Sequence, residues 1–322
     1  MSLKGISPSI SRAGLLSSGA GFCIAAAFGT RTGAIAASDV ALIKIGAGQI
    51  DPQAEAYYAQ EMGFFKKHGL TTSVSTLMNG AAIAAAVAGG DLQIGISNVL
   101  QLAQAGSHDL PFVVIATGGV HAPNYHVSGL VVAAGSPIAS TKDLDGKIIG
   151  VATLNGLDQM AASVFIDKNG GNSKSVKFIE VPHAAIVDTL IAGRIDAANI
   201  EDPDLSAAIA RKRVRSLGDG EDAIASSWAE TAWFTTKSWL AGNKDAAARF
   251  AAAIYEAGAW AMENPDRAAT VLQKYLGRSR EKSSQRFATS MKLADFDAVL
   301  DVAAAYHLIP PTKASSFVWD GK

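Results

Sequence analysis

The sequence predicts an α/β protein of two similar lobes, built on parallel-type sheets with flanking helices and completed by a helical C-terminal tail. Three observations carry that reading. Short apolar runs of strand length alternate with helix-length stretches through the first two thirds of the chain, the pattern of parallel α/β construction. Several of these runs are apolar throughout, as strands covered by helices on both faces must be. Finally, Ala88-Gly89-Gly90-Asp91 is echoed by Ala192-Gly193-Arg194-Ile195-Asp196, each closing a helix ahead of a strand, so one unit recurs in two lobes.

Taken in order, strands are expected at residues 41–46, 72–77, 93–96, 112–117, 129–133, 148–152, 176–181 and 197–200. Tyr57, Tyr58, Met62, Phe64 and Phe65 recur at helical spacing, and Gly63 and Gly69 interrupt that pattern. Residues 81–88 read as the next helix, stopped by Gly89 and Gly90. The basic run RKRVR at 211–215 reads as a solvated helix end. From Asn243 the expectation is helices alone, at 245–262, 265–275, 281–291 and 296–306. The first lobe is placed at 39–133 plus 234–322 and the second at 134–233, with crossings near 126–131 and 230–235. Two crossings are what a hinge needs.

The chain has 322 residues, 49% hydrophobic and 18% charged, a composition suited to a globular protein with room for two lobes. A formal charge of −1 gives no electrostatic case for nucleic acid or an acidic membrane surface. Residues 1–37 read as a signal peptide: Lys4 and Arg12 supply positive charge, 13–28 is a short apolar stretch, and Ala34-Ile35-Ala36 offers a cleavage site. That stretch is shorter than the ~20 residues that span a bilayer, so export rather than anchoring is expected. The single cysteine, Cys23, lies within it behind Phe22, where lipid attachment requires a small residue. The mature chain would then hold no disulfide, thiolate metal site or cysteine nucleophile.

Four segments in order, ALIKIG at 41–46, AQEMGFFKKHGL ending at Leu70, AAVAGGDLQIG ending at Gly95 and IASTKDLDGKIIGV at 138–151, resemble the periplasmic substrate-binding proteins of ABC importers. The likeness is to the nitrate/sulfonate/taurine and thiamine-pyrimidine group. LIAGRIDAANIEDP at 190–203 fits the second-lobe version of the same helix, glycine and strand, and the match runs from Ala41 to about Leu217. The resemblance implies a two-lobe periplasmic-binding-protein fold of type II. It further implies a periplasmic monomer that takes up a small organic anion such as a sulfonate, or a pyrimidine or aromatic solute. Its partners would be a membrane permease and an ATPase, with no cofactor.

In open parallel sheets a ligand lies beyond the carboxyl ends of the strands, where helix N-termini present unpaired N–H groups. The loops there supply Gln49, Asp51, Asn79, Gly80, Ser97, Asn98, Thr117 and Gly118 from the first lobe, and Thr153, Asn155, Gly156, His183, Glu201 and Asp202 from the second. Such residues bind through neutral hydrogen bonds and close backbone approach. Several are equally ordinary N-caps: Asn79, Ser97, Asn98, and Asp202 ahead of Pro203. None of these loops holds Arg or Lys, so no guanidinium clamp on an anion is visible, although helix N-termini can hold one. Asp51, Asp158, Glu201 and Asp202 lie near them, and one facing the cleft would favour an amine or ring N–H over an anion. Tyr125, Trp228, Trp233 and Phe234 cluster at the crossings, where a ring could stack on a flat ligand or simply pack the core. Tyr125 and Trp233 therefore join the candidate ligand-binding set.

No catalytic residue and no metal site is expected. His121 and His126 are five apart without a carboxylate or thiolate at a metal-binding offset, and no nucleophile elbow, phosphate loop or dinucleotide fingerprint occurs. The alternative is an enzyme on the same fold acting on a small carboxylic acid or pyrimidine precursor through Asp51 or Asn155, were residues 1–37 retained in the cytoplasm. A regulatory effector domain is the third reading, but no helix-turn-helix precedes the fold.

Overall fold

The computed structural model describes residues 41–108, 110–122, 128–202, 204–277 and 284–322. The expected signal peptide, Tyr125, His126 and Pro203 lie outside the described residues.

The strands are β1 (Ile43–Ala47), β2 (Thr72–Thr76), β3 (Ile94–Asn98), β4 (Phe112–Thr117), β5 (Gly119–His121), β6 (Ser128–Ala133), β7 (Ile148–Val151), β8 (Lys177–Glu180), β9 (Ala197–Glu201), β10 (Val214–Gly218), β11 (Trp228–Ala229), β12 (Thr231–Thr236) and β13 (Arg286–Phe287). The helices are α1 (Glu55–Glu61), α2 (Phe64–Lys67), α3 (Gly80–Ala88), α4 (Val99–Ser107), α5 (Leu157–Lys168), α6 (His183–Ile191), α7 (Asp204–Ala210), α8 (Gly220–Ile224), α9 (Lys237–Glu263), α10 (Pro265–Leu276) and α11 (Leu293–Ala305).

Two five-stranded sheets share one plan. The first runs β2-β1-β3-β12-β4 and the second β8-β7-β9-β6-β10. In each, three parallel strands come first, and the fourth is antiparallel and belongs to the segment that crosses from the other sheet. Glycine makes the helix layers fit. A Cβ on Gly95 would come within 2.4 Å of Ile83 on α3, and one on Gly150 within 2.6 Å of Ile195, so both central positions must be bare. Gly63 and Gly69, at φ +77° and +69°, break α1 from α2 and end α2.

The crossing strands move the expected lobe boundaries. Ser128–Ala133, assigned by sequence to the first lobe, pairs with β9 and β10 of the second sheet. Residues 231–233, assigned to the second, pair with β3 and β4 of the first. Two further expectations are corrected. Within 281–291, Arg286 and Phe287 form a strand on β5, because Phe287 seats its ring edge-on against Tyr58 while its backbone pairs with Gly119. The basic run 211–215 is a helix end only in its first half: Arg211 N–H bonds Ala207 O and Arg213 N–H bonds Ala208 O to close α7, Lys212 turns at φ +53°, and Val214 begins an edge strand. Charged residues on an edge strand discourage pairing with other chains.

One large core cluster packs around the first sheet, with Tyr57, Tyr58, Phe65, Trp228, Trp233, Phe234, Phe250 and Phe296 fully buried or nearly so. It includes Leu157, Met160, Ala161 and Val164 of α5, so that helix bridges the lobes. The second sheet carries two smaller aliphatic clusters, one containing Val131, Ile186 and Ile200, the other Leu130, Ile149 and Ile166.

Candidate functional site

The carboxyl ends of the parallel strands in both sheets open on one cleft. Its first wall is Gln49 and Ile50 after β1, Gln53 just beyond, Met78, Asn79 and Gly80 after β2, and Asn98 and Gln101 around the start of α4. The second wall is Thr153, Leu157 and Asp158 after β7, His183 after β8 and Glu201 closing β9. Glu230 and Thr231, where the chain enters β12, complete the floor.

On the first wall the side chains are held by helix capping. Asn79 Oδ1 accepts the Ala82 N–H at 2.9 Å and Asn98 Oδ1 accepts the Gln101 N–H at 2.8 Å, which leaves the amide NH₂ groups as donors toward the cleft. Ser97 lies one layer behind, donating its hydroxyl to Gln101 Oε1 at 2.7 Å. Gly80 lets this happen, since a Cβ there would meet Ser97 Oγ at 2.4 Å.

The second wall is capped differently. Gly156 and Pro182 precede α5 and α6 and offer no side-chain cap, and Asp158 in the first turn of α5 instead accepts the Ala152 N–H at 3.2 Å. Burial, reinforced by the Asp158 carboxyl beside it, holds Glu201 well above the usual carboxylate range. Burial, with the charge of Glu221, does the same to Glu230. Behind the floor, burial pushes Glu55 up to about 8.

A recess continues from the floor, lined by Asp51, Pro52, Glu201, Asp202, Glu221, Glu230 and Gln285. Beyond it Glu221 and Asp222 meet His121, fully buried, with Nε2 2.8 Å from Asp222 Oδ1 and Nδ1 3.4 Å from Glu221 Oε2. Burial alone would lower His121, but the two carboxylates outweigh it and raise its pKa. Among the described residues no group of three or more His, Asp or Glu is spaced to hold a metal ion.

The sequence reading thus places Gln49, Asn79, Gly80, Asn98, Thr153, His183 and Glu201 on the cleft, and Asp51 and Asp202 in its recess. Others are moved. Trp233, Trp228 and Phe234 are wholly buried, Trp233 against Phe250 at 5.3 Å and Trp228 stacked on His121 at 5.6 Å, because β12 is an inner strand covered on both faces. Thr117 is buried behind the floor, its N–H on the Tyr255 hydroxyl at 3.2 Å, and a Cβ on Gly118 would strike Thr231 Oγ1 at 2.6 Å. Asn155 turns at φ +56° and its carbonyl accepts Gln104 Nε2 at 2.9 Å, a direct bond between the lobes at the cleft mouth. Gly156 stands at the N-cap of α5. Gln53, Gln101, Leu157, Glu230 and Thr231 were not among the candidate residues; Gln101 and Leu157 lie within one helical turn of loops that were, and could have been found by extending each loop that far.

The sequence model of the family described as NMT1/THI5 like matches residues 53–268. The chain belongs to the NMT1/THI5-like family. Its fold is that of periplasmic binding proteins. The aliphatic sulphonate binding protein SsuA of Escherichia coli superposes with a TM-score of 0.71 at 18% identity, over 87% of this chain and 92% of that one. The alkanesulfonate-binding protein SsuA of Xanthomonas axonopodis pv. citri, bound to MOPS, gives 0.69 at 16%, over 86% and 98%. The nitrate-binding protein NrtA of Synechocystis PCC 6803 gives 0.70 at 14%, over 87% and 86%. Among curated proteins none matches this NMT1/THI5-like chain by sequence. Among its described residues no helix is long and apolar enough to cross a membrane.

Proposed function

We propose that this chain is the solute-binding component of an ABC uptake system, exported to the periplasm as a monomer that captures a small polar solute between its lobes. One observation carries the reading: the βα loops of both sheets converge on a single cleft, while the backbone crosses between the sheets at two places flanking it. Such an arrangement closes by hinge motion, and the solute selects the closed state by touching both walls at once. On this reading the Gln104–Asn155 bond, which joins the two walls, belongs to the closed state. A membrane permease with its ATPase would read the closed surface and receive the solute. Sulfonates, other organic acids and nitrogen heterocycles are the solute classes that the family resemblance offers.

The test is a thermal-shift and mass-spectrometric screen of the purified chain against those classes. A solute at a hundred times its Kd adds ~2.7 kcal/mol, several degrees in a protein of this size. A shift with one class, the compound recovered unchanged, supports binding without chemistry. Conversion of the compound would replace this reading with an enzyme on the same fold.

A further inference from the structure

The residues around the cleft are chemically lopsided. Asp158, Glu201 and Glu230 line it, Asp51, Asp202 and Glu221 line the recess behind it, and neither lining contains Lys or Arg. Acidic side chains gathered at a surface mean little, but Asp51, Glu221 and Glu230 are buried. Glu230 is 4% exposed, and its carboxylate receives one hydrogen bond among the described residues, from Gln285 Nε2 to Oε2 at 3.5 Å. The same side chain lines both cleft and recess. Glu221 is 2% exposed and its Oε2 lacks an aligned hydrogen bond, the nearest group being His121 Nδ1 at 3.4 Å. Acidic groups buried with so few donors are costly to ionise, and a solute N–H or positive charge would supply what the lining lacks.

Across the cleft the opposite holds. Asn79 and Asn98 use their amide oxygens to cap α3 and α4, and Gln101 uses its own on Ser97, so the wall presents NH₂ groups. A solute that satisfies both sides has an acceptor at one end and a nitrogen donor at the other. Resting on the solute-binding reading, we infer that the cleft takes a solute with a protonated nitrogen, an ammonium or amidinium, seated on Glu230, Glu201 and Asp158, with its acceptor end on Asn79, Asn98 and Gln101. A simple oxyanion would face three acidic groups with no Lys or Arg among the described lining residues. A metal ion is disfavoured by the spacing, as no three of these carboxylates converge closely enough to ligate one.

Matched pairs isolate the nitrogen: taurine with ethanesulfonate, β-alanine with propionate, and benzamidine with benzoate, each titrated calorimetrically into the purified full chain. The expected result is that in at least one pair the nitrogen-bearing member binds ten-fold or more tightly than its partner. Glu230→Gln, isosteric, then weakens that member at least ten-fold, and Asp158→Asn does so independently should the first variant melt early. If an amine-free anion binds as tightly as its partner, or gains affinity in neither variant while the amines fail to bind, the inference falls and the solute-binding reading stands. If no member of any pair binds, this inference falls, and the thermal-shift screen decides the solute-binding reading by itself.

Discussion

The two walls of the cleft are made by the same βα scheme and carry opposite chemistry. Where the first sheet feeds its helices, asparagines stand at the N-caps and turn their amide nitrogens outward. Where the second does so, glycine and proline precede the helices without capping them, and carboxylates occupy the wall instead. The lobes behind the walls differ too: the first is packed with aromatic rings, the second with aliphatic side chains on both faces of its sheet. Topology therefore fixes where a cleft lies, while the choice of cap decides its charge. The neighbours named for sulphonate and nitrate share the topology alone at 18% and 14% identity, so their solutes do not carry over by fold.

The largest expected effect separates wall from interior. Trp233 lies wholly within the first lobe's core, so Trp233→Ala should cost about 3–5 kcal/mol of stability in urea unfolding. Affinity in the molecules that remain folded should change less than two-fold. A several-fold loss of affinity at unchanged stability would put Trp233 back on the cleft.

Next comes pH, which acts on the acidic side alone. Glu55, raised from 4.5 to about 8, keeps in the folded state a proton that the unfolded chain gives up, so stability must fall as pH rises through that window. Glu201, Glu221, Glu230 and Asp219 are raised as well, and His121, also raised, adds its loss in the same direction. Melting temperature should decline steadily from pH 5.5 to 7.5, and Glu55→Gln should remove about one proton from the slope, ~1.4 kcal/mol per unit or roughly 2–3 kcal/mol across the range. A melting temperature that climbs with pH would mean these carboxylates are ionised and paired.

How far the sequence could be read follows the same division. The parallel strands and the loops after them were legible because apolar runs, glycine stops and caps are local signals; β4 was expected at 112–117, the bounds it has. β5, β10, β11, β12 and β13 were not: β5, β11 and β13 have only two or three residues and carry no periodicity, β10 reads as a charged run, and β12 is set by its distant pairing with β3 and β4. The wall residues at loop starts could be named for the same local reason. Glu230 could not, because it lies in the single-residue link between β11 and β12, and neither could the burial of Trp233, because β12 is covered on both faces by distant segments.

A smaller effect tests the neutral wall. Asn98→Ala removes the Oδ1 cap on Gln101 N–H and should cost about 1 kcal/mol, with Asn79→Ala close behind. Each should also weaken the solute, because the same amide offers its NH₂ to the cleft; Asn98→Asp keeps the cap, removes the donor and adds charge. Stability restored with affinity still lost in Asn98→Asp would assign the two functions of one side chain to its two atoms. Equal recovery of both would reduce Asn98 to a cap.

The smallest effect lies at the mouth. Gln104→Ala deletes the one side-chain bond to Asn155 O, exposed to water, so the stability change should stay under about 1 kcal/mol. Its consequence is for the open–closed balance: with the bond gone, the closed state loses a contact that the open state never had, and the solute must supply the difference. Affinity should fall less than five-fold, and chiefly through faster dissociation, because the bond forms only after both walls have met the solute. Measured by stopped flow, a slower association at unchanged dissociation would instead place this contact in the open molecule, and the two walls would then be joined before any solute arrives.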